Sequence, residues 1–223
     1  MFNLKLDYSE YVNMDALVRT LRHALLGLAI TLAPAPLLAA TIDVGTKIGA
    51  YTGDTRGFHF TAPTDFVIVG LDLPTDASTE NFDVAVLRFS TLNAWNGDPS
   101  VYDVLFQARD QGAALTGLSI AISVGDIIGI LGSRAANAAN SYGSADYSSS
   151  ILGSAVTLSR LILQTTLRTE ALLTSERLGT DAGSIGRVLV DVAPASISAV
   201  PLPGALPLMA LSLGALVLVR RRA

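Results

Sequence analysis

The chain has 223 residues, no cysteine and a formal net charge of −4, with 50% hydrophobic residues and a mean hydropathy of +0.48. Disulfides, thiolate metal sites and cysteine nucleophiles are excluded together. Between Thr41 and Ala199 nine basic residues face sixteen acidic ones, and a net −7 gives no electrostatic footing for nucleic acid.

At the N-terminus, Arg19, Arg22 and His23 precede an apolar stretch from Ala24 to Leu32, followed by Pro34, Pro36 and Leu37-Leu38-Ala39-Ala40. Basic region, short apolar core and small residues are the parts of a secretory signal peptide, with cleavage expected after Ala40. The alternative is an uncleaved helical anchor, for which the apolar core is short. Met1 to Asn13 form a polar extension ahead of the basic region, and a start at Met14 would give a more ordinary signal peptide.

After Thr41 the hydrophobic period becomes two. Gly57–Thr61 and Asp65–Leu71 read as strands with Ala62-Pro63-Thr64 turning between them. Phe82–Phe89 places Phe82, Val84 and Val86 on one face and is expected to be a half-buried strand. Val101–Phe106, Leu118–Val124 and Asp126–Leu131 continue the series, Gly125-Asp126 being a turn pair of the kind that joins antiparallel strands. Val156–Gln164 and Ile185–Val192 are aliphatic and β-branched, and each is expected to be one strand. Leu167–Leu178 has helical spacing and is expected to be a short helix or a loop. Gly132–Ser150 consists almost wholly of Gly, Ala, Ser and Asn with Tyr142 and Tyr147, and small residues that cannot cover a core place it on the surface. Eight or more short strands argue for a mainly β domain over 41–199, an antiparallel sandwich or jelly roll. A signal-peptide helix (1–40) and a C-terminal membrane helix (200–223) are expected to flank it.

Catalytic signatures are missing. His59 is the one histidine after Thr41, which excludes a multi-histidine zinc site and makes it the only available base for a Ser-His-Asp triad. No nucleophile elbow, phosphate loop or dinucleotide glycine fingerprint occurs. Two carboxylates across a cleft could hydrolyse a glycosidic bond, and Glu80, Asp83 and Asp103 are the acids named for that role. Asp72, Asp76, Glu80 and Asp83 lie within twelve residues and form a weak calcium candidate, without the spacing or central glycine of an EF-hand. No cofactor is expected. Trp95-Asn96-Gly97-Asp98, with Tyr102 close behind, is the stretch best suited to a glycan contact, since a ring face stacks on the apolar face of a sugar; the alternative is a packing tryptophan.

The tail carries the most specific signal. Val200-Pro201-Leu202-Pro203-Gly204 is followed by an apolar run from Ala205 to Val219 and by Arg220-Arg221-Arg222. Pro201 and Pro203 cannot sit in a helix interior, so the clean helix runs from about Pro207 to Arg222, roughly 24 Å and short of the roughly 30 Å of a hydrocarbon core. The arginines would hold the C-terminus on the cytoplasmic side. A plain tail anchor is the simple reading of these properties. The order of proline motif, short apolar helix and arginine cluster resembles the PEP-CTERM sorting signals of Gram-negative bacteria, in their VPLPA variant, with Gly204 where alanine is usual. The resemblance covers about the last 24 residues. It implies an exosortase-type peptidase as partner after export by the Sec translocon and signal peptidase, and an association with exopolysaccharide-producing cells. The expected protein is a non-enzymatic surface or extracellular-matrix protein, held in the inner membrane until its helix is removed. A carbohydrate-binding module and a carboxylate glycoside hydrolase are the alternatives.

Overall fold

The computed structural model describes residues 39–169 and 177–195. The expected signal peptide and sorting tail lie outside the described residues, apart from Ala39 and Ala40. Among the described residues no helix is long and apolar enough to cross a membrane.

The body is mainly β, with fourteen strands in three antiparallel sheets: β1 (Ala40–Thr41), β2 (Gly49–Tyr51), β3 (Thr55–Thr61), β4 (Phe66–Asp72), β5 (Phe82–Thr91), β6 (Val101–Gln111), β7 (Leu115–Ile122), β8 (Ile127–Arg134), β9 (Asn140–Ala145), β10 (Tyr147–Ile151), β11 (Ser154–Leu163), β12 (Leu178–Thr180), β13 (Ser184–Gly186) and β14 (Leu189–Pro194). The small sheet has the order β1-β14-β4-β7; the large one runs β10-β11-β3-β8-β5-β6, with β12 also on β11; the third is β13-β9-β2. Large and small sheets share one buried apolar cluster, in which Phe58, Phe60, Val84 and Ile130 of the one meet Phe66, Ile68, Val190 and Val192 of the other. Phe60 stacks on both Phe58 and Phe66, at 6.1 and 6.3 Å between ring centroids.

The alternating pattern predicts β3 and β4 closely, but their connection differs from a hairpin. β3 belongs to the large sheet and β4 to the small one, and the Gly125 turn likewise carries β7 of the small sheet into β8 of the large. Gly125, at φ 87°, supplies the left-handed turn position. The two crossing turns bond each other, Ala62 N to Asp126 O at 2.8 Å and Gly125 N to Ala62 O at 2.9 Å. Turn residues announce a reversal in direction and carry no information on whether the chain changes layer.

Three further expectations are corrected. β5 is buried on both faces: Ala85, Leu87 and Phe89 join Leu131, Leu161, Leu163, Leu167 and Leu178 in a second apolar cluster on the far side of the large sheet. The small-residue segment 132–150 is no surface loop but the end of β8 with β9 and β10, and Ser133, Arg134, Asn140 and Ser141 are buried in it. Small side chains there permit close approach; a Cβ on Gly143 would lie 2.7 Å from the Val44 carbonyl oxygen. Ile185–Val192 is divided between β13 and β14, which belong to different sheets. Of Leu167–Leu178, residues 167–169 form a turn, Leu178 opens β12, and 170–176 lie outside the described residues.

Gly57 marks the tightest crossing, since a Cβ there would stand 1.8 Å from the Ile130 carbonyl oxygen across the β3–β8 pair. Gly57→Ala should therefore force these strands apart and cost about 3 kcal/mol of stability, read as a lower urea midpoint; an unchanged midpoint would contradict the packing described.

Candidate functional site

The acid-rich connection between β4 and β5 is organised by arginines contributed from distant strands. Arg134, at the end of β8, donates through Nε to the Pro74 carbonyl (3.1 Å), through Nη1 to the Glu80 carbonyl (2.8 Å) and through Nη2 to Asp72 Oδ1 (3.2 Å). Its guanidinium lies 5.1 Å from the centre of the Phe82 ring, so charge and apolar face are satisfied together. Asp76 pairs with Arg187 at 2.6 Å, and its backbone carbonyl accepts from Lys47. Burial opposes ionisation of Asp76, yet hydrogen bonds from Ser141 and Arg187 bring its pKa below the usual carboxylate value. Asp83 is 1% exposed, accepts from Arg168 Nε at 3.0 Å and from the Asp110 amide at 2.8 Å. The carboxylates of Asp72, Asp76 and Asp83 are thus each paired with a different arginine, and among the described residues no group of three or more His, Asp or Glu could hold a metal ion. Of the acids considered for glycoside hydrolysis, Asp83 is committed to Arg168 and Asp103 to Arg88 at 3.2 Å, while Glu80 lends its carbonyl to Arg134.

His59 sits on the outer face of β3, opposite Ser159 of β11. Its Nε2 is 3.0 Å from Thr180 Oγ1, whose own proton goes to the Arg160 carbonyl at 3.0 Å. Nε2 is therefore the donor. Ser159 donates to Asp146 (2.8 Å) instead of to the histidine. Serine, aspartate and histidine are neighbours here, but the serine is not wired to the imidazole as a triad requires.

The Trp95 loop is braced from both sides. Within it, Asn93 N donates to Ser100 Oγ (3.0 Å), Asn93 Nδ2 to the Pro99 carbonyl (3.1 Å) and Gly97 N to the Ala94 carbonyl (3.0 Å). Against β12, Trp95 N donates to Thr180 O at 3.2 Å and Thr180 N to Asn93 O at 2.9 Å. Gly179 makes that docking feasible: a Cβ there would lie 2.5 Å from the Trp95 backbone. Trp95 remains 38% exposed, beside exposed Asn96 and Asp98. Tyr102 is placed differently, 5.5 Å from Phe89 between ring centres and packed against the second apolar cluster. The other tyrosines singled out by sequence are fold anchors: Tyr142 stacks on Tyr51 at 6.2 Å, and Tyr147 donates to Asp43 at 2.7 Å, a bond that lowers the Asp43 pKa.

Both ends of the described body leave from one place. Ala40 of β1 lies opposite Val192 of β14, and Pro194, where β14 ends, lies opposite Phe66 of β4. Thr41 Oγ1 donates to Asp191 Oδ1 at 2.5 Å beside this exit. Compared with protein-family models, with curated proteins and with solved structures, the chain matches none of them.

Burial holds the His59 pKa below 6.5, with Asp146 opposing. The fold therefore favours neutral imidazole: its contribution is complete above the unfolded-state value of about 6.5 and is lost as pH falls through the folded-state value. Urea titrations at about pH 7.5 and about pH 5 should show a smaller loss of stability for His59→Gln than for the natural chain; equal losses would contradict this assignment.

Proposed function

We propose that this chain is a non-enzymatic exported protein of the cell surface or extracellular matrix. Its sandwich-type body is delivered through the Sec route by an N-terminal signal-peptide helix and held in the inner membrane by a C-terminal helix. An exosortase-type peptidase then removes that helix. The observation that carries the proposal is the tripartite tail, Val200–Gly204, the apolar run and Arg220–Arg222, in an order that resembles a PEP-CTERM signal. The common exit of both ends of the described body at the β1–β14 pair supports it, because a body held through one end leaves its remaining surface free to face outward.

Processing is tested by the mass of the mature protein. The natural chain should lose everything beyond the neighbourhood of Val200–Gly204. Replacement of Pro201 and Pro203 by alanine should leave the uncleaved form in membranes. A mature mass that retains Ala223 overturns the proposal.

A second reading has a specific observation in its favour, the partly exposed Trp95 on a braced loop. Loop rigidity lowers the entropy cost of presenting a ring to a ligand. On this reading the body binds extracellular polysaccharide, with Trp95 stacking on a sugar and Tyr102 supporting the loop from the second core. On a glycan array the natural chain should bind and Trp95→Ala should lose most of that signal; binding indifferent to the substitution would remove Trp95 from the site.

A further inference from the structure

We infer that one end of the β body faces the lipid surface while the chain is membrane-held, and that a short tether keeps it there. The inference rests on the tail acting as a membrane segment.

Strand register defines the end. Pro194, Phe66 and Ile122 are cross-strand neighbours on β14, β4 and β7, so the last described strand leaves the small sheet beside the turn that follows Ile122. The large sheet ends on the same side: Thr61, Ile127 and Phe89 are neighbours on β3, β8 and β5, with Val101 opposite Thr91 just beyond. Two exposed apolar side chains stand at this end, Val124 (62% exposed) on the β7–β8 turn and Val101 (58%) at the start of β6. The nearby carboxylates are engaged in holding the turns: Asp65 Oδ1 accepts from Val124 N at 2.7 Å and Asp126 Oδ2 from Ser123 N at 2.9 Å. Ile48, exposed to 59%, belongs to the other side. It bonds to Tyr142 of the third sheet, whose strand β13 leads through Arg187 and Val188 into the opposite end of β14.

The tether is short. Five residues separate Pro194 from Val200, and six steps of extended chain reach about 20 Å. A body whose strand ends within about 20 Å of a membrane-held motif has little freedom to turn its far side toward the bilayer. The surface it meets is a zwitterionic lipid face, because Asp65 and Asp126 disfavour an anionic one and Val101 and Val124 tolerate an interface.

The absence of cysteine makes the test direct. Full-length chains carrying a single Val124→Cys, Val101→Cys or Ile48→Cys change are labelled with an environment-sensitive fluorophore. They are reconstituted in phosphatidylethanolamine–phosphatidylcholine vesicles containing a headgroup spin label. Quenching should be several-fold stronger at positions 124 and 101 than at 48. Insertion of about 20 glycine and serine residues after Ala195 should reduce that contrast, since a flexible linker of that length releases the body. Equal quenching at 48 and 124, or a contrast unaffected by the insertion, overturns this inference alone. Failure of the chain to float with vesicles overturns the reading of the tail and this inference with it.

Discussion

The large sheet must be covered on both faces, and most of the architecture follows from that requirement. β5 carries Phe82, Val84 and Val86 toward the small sheet and Ala85, Leu87 and Phe89 toward the other side, all of them buried. A small antiparallel sheet suffices for the first face. Among the described residues no sheet meets the second: Leu167, in the turn after β11, and Leu178, which opens β12, join its apolar cluster, and the Trp95 loop docks on β12. Each fully buried large aliphatic or aromatic side chain contributes about 2 to 3 kcal/mol by removal from water, which favours holding these segments against the sheet. Trp95 owes its fixed position to this arrangement.

A cysteine-free acidic chain also needs a way to fasten its connections, and arginine provides it. Arg134 gathers carbonyls and a carboxylate of the β4–β5 connection over the Phe82 ring. Arg56, with its side chain 5% exposed, donates to the carbonyls of Thr55 and Leu163 and lies 4.8 Å from the Tyr51 ring centre. Arg168 ties the turn after β11 to buried Asp83. Removing one member of such a pair leaves an uncompensated buried charge, so each arginine is costly to replace on its own. Arginine suits the task because its planar fork satisfies several acceptors while its face rests on an aromatic ring.

How much of this was legible in the sequence differs from element to element. β3 and β4 were, because Phe58, Phe60, Phe66 and Ile68 alternate cleanly with polar or small residues. The second face of β5 was not: Ala85 and Leu87 belong to the continuous apolar run Val84–Leu87, and such a run does not reveal what covers it. Segment 132–150 is hard to read because small residues suit both a surface and a close contact, and here Gly143, Ala135, Ala138 and Ala139 are buried for their smallness. The acids of 72–83 cluster in sequence and disperse in space, since their partners Arg134, Arg168 and Arg187 arrive more than fifty residues later. The sequence leaves Trp95 open between a glycan contact and a packing residue; the engagement of Tyr102 with Phe89 depends on the β5–β6 register, which no local pattern encodes.

The pairing of β1 with β14 gives the body an order of events. These strands are joined across 150 residues, and β14 lies between β1 and β4 in the small sheet. A chain that emerges from its N-terminus first reaches β14 last, so until residue 194 has appeared β4 has a bare edge and Ala40–Thr41 has no ladder. The peptide bond between Ala40 and Thr41 gains its strand partners Val192 and Asp191 only when β14 is in place. Completion of the small sheet thus acts as a clock: the front of the described body is fastened only at the moment its back arrives.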